Sequence, residues 1–360
     1  MMLDFCSDTY SAAREKFLRV AARRNAHIHS VPHPETGAHG EELAMDFALF
    51  GDRAAEKTLL LVSGTHGQEG LIGSAIQSTF LDDLEIPVGV NILALHALNP
   101  WGFSHLSRSD DRNIDVNRNF LDFGEPLPQS PIYMDAHPEI CPDEWGECRL
   151  KSEVLATSLV ERYGLQPALD ALTGGQFDVP TGLNFGGHAP SWSNRTVSAH
   201  LPPLLAGSRQ IAFVEWHTGL GAYGELCHIC MHDPQSEAFE RVWNWMGEEA
   251  KASFLASMDN KGTTASYNGL FCNWLPQSAP QAEWVGQVIE VGTYDNVRVW
   301  EALRIDRWLR FGRPGPSDHR DDLRREMLER FYPSSPDWRR MALAVGCQAQ
   351  QHVLDGLVRW

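Results

Sequence analysis

TLLLVSGTHGQEG, residues 58–70, decides the fold. Its first half is a continuous apolar run of strand length, the pattern of a strand covered on both faces. Its second half places His66 and Glu69 three residues apart, fenced by Gly64, Gly67 and Gly70, where that strand ends. LIGSAIQSTFLDDL (71–84) follows with helical period and many small residues. VGVNILALHALNP (88–100) is then a second buried strand that ends in an Asn-Pro turn. Strand, loop, helix and strand in succession predict a largely parallel sheet with helices on its faces. Ligands bind such sheets outside the carboxyl ends of the strands. The loop after Ser63 therefore admits two chemistries. Its backbone N–H groups can cradle a phosphate, or His66 and Glu69 can hold a metal.

Outward from this stretch, residues 8–24 carry a helical stripe of Tyr10, Ala13, Phe17, Val20 and Ala21, with Ser7 as the expected N-cap. HIHSVP (27–32) and ELAMDFALF (42–50) read as strands, as do IAFVEWHTG (211–219) and WVGQVIEVGTY (284–294). Residues 124–147 and 179–196 read as loops, the stretch after Lys151 as one or two helices, and 234–257 as helical. From about 296 the chain is mostly helical, broken by Pro314, Pro316, Pro333 and Pro336. No stretch reads as a flexible linker. The expectation is one domain over 1–360, with its core at about 55–296.

The 360 residues are 43% hydrophobic, enough for a sizeable core. No run approaches the roughly 18 to 20 apolar residues of a membrane helix, and the N-terminus has no apolar h-region. Lys and Arg number 30 against 47 Asp and Glu, a formal charge of −17. That excludes a basic nucleic-acid-binding face as the organising feature. Seven cysteines without a signal peptide read as reduced thiols in a cytoplasmic protein. CHICMH (227–232) offers thiols and imidazoles, but no second Cys/His pair stands nearby, so its alternation reads as a strand. Cys141 and Cys148 flank an acidic loop without evident chemistry.

Three expected strand ends carry ionisable groups: His66 with Glu69, then His217, then Glu290 in VIEVG. Two imidazoles and a carboxylate leave a fourth position on zinc for water, the composition of a hydrolytic site. A further carboxylate could take that water's proton. RSDDRNIDVNRNF (108–120), taken as charges alone, is a solvated loop.

With HGQE, DVNRNF, WHTG, SYNG and IEVGT in this order, the chain resembles the zinc carboxypeptidase superfamily of the carboxypeptidase A type. That superfamily includes the aspartoacylases and succinylglutamate desuccinylases. GLNFGGHAPSWSNR resembles an uncharacterised bacterial branch of it. The resemblance spans roughly residues 55–296 and implies a three-layer α/β/α fold with a mostly parallel, mixed central sheet. It further implies one zinc per chain on His66, Glu69 and His217. Asp115 would accept a hydrogen bond from the far nitrogen of His66. Arg108 would stabilise the oxyanion, and Asn117 and Arg118 would grip a substrate carboxylate. Tyr267 would close over the substrate, and Glu290 would be the general base. Glu215 shares the strand face of His217. Glu283 precedes its apolar run and ranks below Glu290 as a base. Trp101, Trp192 and Trp216 fall near the expected cleft and could line it.

The resulting expectation is a zinc-dependent hydrolase acting on a small molecule or short peptide with a free carboxylate, without nucleic-acid or membrane partners. A carboxypeptidase and an aspartoacylase-like amidohydrolase both fit. The long loops, as a roof over the site, favour small substrates. A phosphate binder lacks the usual glycine pattern and leaves His217 and Glu290 unexplained. A non-catalytic relative would have no need of every catalytic residue.

Overall fold

Residues 57–63 form the strand on which the molecule is built. The computed structural model describes residues 2–146, 149–248, 250–256, 265–313 and 319–360; Cys148, Pro314 and Pro316 lie outside the described residues. Eight strands form one sheet: β1 (His27–Thr36), β2 (Glu42–Gly51), β3 (Lys57–Ser63), β4 (Val90–His96), β5 (Gln210–Thr218), β6 (Leu226–Cys230), β7 (Phe254–Ala256) and β8 (Glu283–Val291). Their order is β1-β2-β4-β3-β5-β8-β6-β7. The central four, β4, β3, β5 and β8, run parallel. β1 and β2 join antiparallel on one side, and β6 joins antiparallel on the other.

Successive strand residues feed opposite cores, which is why the central strands are apolar throughout. Leu59, Leu61, Ile92, Ala94 and Val214 pack with Phe17, Ile76, Trp338 and Leu354 from the helices Tyr10–Arg23, Gly70–Asp83 and Pro336–Arg359. Leu60, Val62, Leu93, Leu95 and Phe213 pack with Val197, Leu201, Phe271 and Leu275 from the helices Trp192–Leu205 and Phe271–Ser278. The result is a three-layer α/β/α fold with a mixed, centrally parallel sheet. The C-terminal helix Pro336–Arg359 shares a core with the first helix. Among the described residues no helix is long and apolar enough to cross a membrane.

A third cluster caps the sheet. The helices Pro131–Ile140, Ser152–Tyr163, Leu165–Thr173, Asn296–Phe311 and Arg320–Phe331 bring together Tyr133, Leu159, Leu172, Trp300, Leu303 and Phe331. The cap meets the carboxyl end of β5, where Thr218 Oγ1 donates to the Phe331 carbonyl at 2.8 Å.

Several local expectations are corrected. Thr9, not Ser7, caps the first helix, accepting from Ala12 N at 3.3 Å. Residues 131–140 are helical because Pro131 sits in the first turn and Tyr133, Ala136 and Ile140 form a buried stripe. A helix begins at Trp192 inside the expected 179–196 loop, capped by Ser191. Within residues 234–257 the α-helix covers Glu237–Trp245, a single 3-10 turn covers Ala250–Ser253, and Phe254–Ala256 is the edge strand. Pro336 opens a helix rather than breaking one.

The CHICMH stretch lies on strand β6 and its neighbour loop. His228 Nδ1 lies 3.0 Å from Gln287 Oε1, and His232 Nε2 accepts from Gly286 N at 3.0 Å. Both histidines are satisfied without a metal.

Candidate metal centre

Parallel neighbours end at the same edge of a sheet, and that is what gathers the site. β3, β5 and β8 lie side by side, and His217 is the direct register partner of Glu290. His66 stands in the loop after β3, and Glu69 at the start of the helix Gly70–Asp83. The loop's glycines have distinct causes. Gly64 takes φ +68°, and a Cβ on Gly67 would lie 1.9 Å from the Gly102 carbonyl carbon. Only a glycine lets these two backbones touch.

His66, Glu69 and His217 are the one group of three or more potential metal ligands found among the described residues, and all three are buried. His66 Nδ1 lies 3.0 Å from Glu69 Oε1. His217 Nδ1 lies 3.1 Å from Glu69 Oε2 and 3.1 Å from His66 Nδ1. The far nitrogens face carboxylates: His66 Nε2 lies 3.2 Å from Asp115 Oδ1, and His217 Nε2 lies 3.0 Å from Glu215 Oε1. A carboxylate beside Nε2 keeps the proton there and leaves Nδ1 as a lone pair. Two imidazole Nδ1 atoms and a carboxylate aimed at one point need positive charge between them, which a metal ion supplies or, on His217, a proton shared with Glu69.

The distances suit the metal ion. Tetrahedral zinc with bonds of about 2.1 Å holds ligand atoms about 3.4 Å apart. The residues present therefore fit a zinc-type ion. Arg108 Nη1 also lies 3.1 Å from His66 Nδ1, so this contact and a metal on that nitrogen exclude each other.

The charges are tightly coupled. Burial works against ionised Glu69, but His66 and His217 hold its carboxyl below the ordinary range. Burial likewise opposes a charge on His217, but Glu215 and Glu69 hold its pKa well above the usual value. Against burial, Arg108, Arg118 and His66 keep Asp115 ionised. Glu290 behaves in the opposite way: burial, then the neighbouring Glu69, push its carboxyl up to about 7. It accepts one weak backbone bond, from Leu220 N at 3.4 Å.

Arg108 is anchored from two sides. Its Nε donates to Asp115 Oδ2 at 3.0 Å, and its backbone N donates to Asp306 Oδ2 at 2.7 Å. Arg310 holds the carbonyls of Asp110 and Asp111. The 108–120 segment is thus clamped and largely buried, not a solvated loop. Asp115 also starts the short turn Val116–Arg118, accepting from Asn117 N at 3.0 Å. Asn117 Oδ1 accepts from Phe271 N at 2.9 Å.

Arg118 donates to the carbonyls of Asn117 and Thr173 at 2.7 and 2.8 Å. Its guanidinium lies 4.8 Å over the Tyr267 ring. Its Nε is buried without a partner. Among the described residues no carboxylate pairs with Arg118 side chain to side chain.

A cavity of about 410 Å³ joins His66, Glu69, Arg108, Asn117, Arg118, His217, Tyr267 and Glu290. Asp115 and Glu215 stand behind the two histidines. Glu283 sits at the opposite end of β8, exposed and paired with Gln210. Trp101, Trp192 and Trp216 do not line the cavity, whereas Trp300 does. Trp216 precedes His217 on the strand, so it points to the other face, into the core.

Sequence reasoning missed three contributors. Thr218 N donates to Glu69 Oε2 at 3.0 Å. Asp306 fixes the Arg108 backbone. Asn184, at φ +52°, lines the cavity with its Oδ1 buried and unpartnered. An asparagine in a glycine-rich loop signals a left-handed turn, but nothing local announces its neighbours.

Solved structures similar to this one include a "putative metallopeptidase" from Shewanella amazonensis. It is 15% identical, with 90% of this chain and 94% of that chain covered and a TM-score of 0.43. Bovine thrombin-activatable fibrinolysis inhibitor is 10% identical, with 98% and 97% covered and a TM-score of 0.46. A succinylglutamate desuccinylase from Silicibacter sp. TM1040 is 12% identical, with 79% and 67% covered and a TM-score of 0.37. At this distance those names describe those proteins alone. No curated protein matches the chain. The family model described as "Protein of unknown function (DUF2817)" matches residues 5–345, and the chain belongs to that family.

Proposed function

We propose that this protein is a zinc-dependent hydrolase that cleaves an amide bond beside a free carboxylate. One observation carries the reading: two imidazole Nδ1 atoms and a carboxylate converge on one point, each imidazole backed by a carboxylate on its far nitrogen. A phosphate would meet the Glu69 and Glu290 carboxylates in the same cavity, which disfavours the phosphate-loop reading.

His66, Glu69 and His217 would hold the ion. Bound zinc supplies a Lewis acid that acidifies water and polarises a carbonyl. Glu290 takes a proton from the attacking water as the new C–O bond forms, and returns it to the amine nitrogen as the C–N bond breaks. Arg108 stabilises the oxyanion. Arg118, with its unpaired charge and free Nε–H, binds the substrate carboxylate, Asn117 lies beside it, and Tyr267 covers it. Asp115 and Glu215 fix the histidine rings. The six described cysteines are free thiols, which supports a reducing, cytoplasmic setting.

The test is amino-acid release from short peptides and N-acyl amino acids by the zinc-loaded protein. Release should stop on chelation and return with zinc. No release by fully loaded protein would contradict the reading.

Arg118→Met should raise KM by about 10- to 100-fold, since a charged hydrogen bond is lost, while kcat changes far less. An unchanged KM would place the carboxylate elsewhere. The pH dependence follows from Glu290, which is a base only when ionised. Its carboxyl is raised to about 7, and a bound cation would lower it. Thus kcat/KM should rise with pH through a value between about 4.3, the ordinary Glu pKa, and that raised one. A rate that falls over this range would contradict the assignment.

A further inference from the structure

The cavity has two apolar walls, and they belong to different hydrophobic clusters. The sheet wall includes Ile229, Met231 and Val288. Val288 lies two residues before Glu290 on the same face of β8, and Ile229 is its register partner on β6. Tyr267, under the Arg118 guanidinium, packs into this same cluster. The cap wall includes Leu172, Val299, Trp300 and Leu303. Val299 stands beside Gly219, whose Cβ position lies 3.1 Å from Val299 Cγ1 and 4.0 Å from Glu290 Oε2. The reacting groups therefore lie between the walls. Among the described residues the charged side chains lining the cavity, His66, Glu69, Arg108, Arg118, His217 and Glu290, are all at the proposed centre, with Tyr267 beside them; the other titratable group is the Cys272 thiol, which burial pushes up and keeps neutral.

We propose that the substrate is an N-acyl amino acid that is apolar on both sides of its amide. Its hydrocarbon or aromatic acyl group lies against the cap wall, and its apolar side chain against the sheet wall. This rests on the hydrolase reading above and names its substrate. A longer peptide would bring further amide groups against Leu172, Val299, Trp300 and Leu303; of these four only Trp300 has a polar atom, a buried and unpartnered Nε1–H that can serve one carbonyl, and the amide groups left unpaired are costly. An acyl group or side chain with a second carboxylate would find no second unpaired arginine, because Arg108 is bound to Asp115. Asn184 Oδ1 is a buried, unpartnered acceptor lining the cavity. It suits the single amide N–H of an N-acyl amino acid.

The experiment measures kcat/KM by amine release, with zinc-loaded protein, for acetyl-, butanoyl- and hexanoyl-leucine, Ala-Ala-Leu and N-acetylaspartate. Each added methylene should raise kcat/KM about fourfold if it is fully buried. Ala-Ala-Leu and N-acetylaspartate should fall well below hexanoyl-leucine. Ala156 lines the cavity from the cap cluster as Val299 does, and in Val299→Asp and Ala156→Met, which charge or narrow the cap wall, the gain from acetyl to hexanoyl should shrink at least about tenfold. A flat dependence on acyl length, or a tripeptide cleaved as fast as hexanoyl-leucine, would overturn the proposal and leave the hydrolase reading intact. If nothing is cleaved, calorimetry with zinc-loaded protein decides. Hexanoyl-leucine binding more tightly than acetyl-leucine would support the pocket while the hydrolase reading fails; equal or absent binding would overturn the pocket as well.

Discussion

Replacing Glu290 by Gln lowers kcat by about a hundred- to ten-thousandfold, the range for loss of a general base, while zinc stays bound. The amide keeps the shape of the side chain and can still accept from Leu220 N, but it cannot take a proton from water. Glu290 is not one of the three converging ligands, and the hydrogen bond it makes is to that backbone N–H. Metal content and activity should therefore separate. The buried carboxyl, raised by Glu69 beyond the effect of burial, is a better base than a solvated glutamate once ionised. Measured zinc content and kcat for the variant check this. Turnover within about tenfold of the parent would give the base role to another group.

His217→Ala has the second large effect, and it acts on both metal and fold. Structural zinc sites gain about 10–16 kcal/mol from four ligands. One ligand is then worth about 3 kcal/mol, or about a hundredfold in affinity. The variant also leaves Glu215 buried with Thr65 as its remaining partner, at 2.8 Å, and with Oε2 unpartnered. An uncompensated buried charge costs about 3–5 kcal/mol. The metal-free variant should therefore melt well below the metal-free parent, and zinc should raise its melting temperature less. Equal zinc affinity and equal melting would remove His217 from the centre.

How much of this was legible depended on whether the cause was local. The run 58–63 is readable because a strand buried on both faces has no polar positions. The convergence of His66, His217 and Glu290 is readable because parallel strands end at one edge. The segment 131–140 was hidden because two prolines and two acidic residues obscure its buried stripe. β7 has three residues, too few for any period. Asp306 lies 198 residues from Arg108, and no sequence pattern joins them. The cleft tryptophans failed on parity for Trp216, which takes the opposite face to His217. Trp300, on a cap helix outside the family-like motifs, took the place by the cavity.

Anomalous diffraction from crystals grown with zinc tests the metal centre most directly. The expected result is one strong peak per chain at about 2.0–2.2 Å from His66 Nδ1, His217 Nδ1 and a Glu69 oxygen, with Glu290 beside it and not bound to it. Crystals soaked to saturation that show no ion there, with Arg108 still bonded to His66 Nδ1, would contradict it.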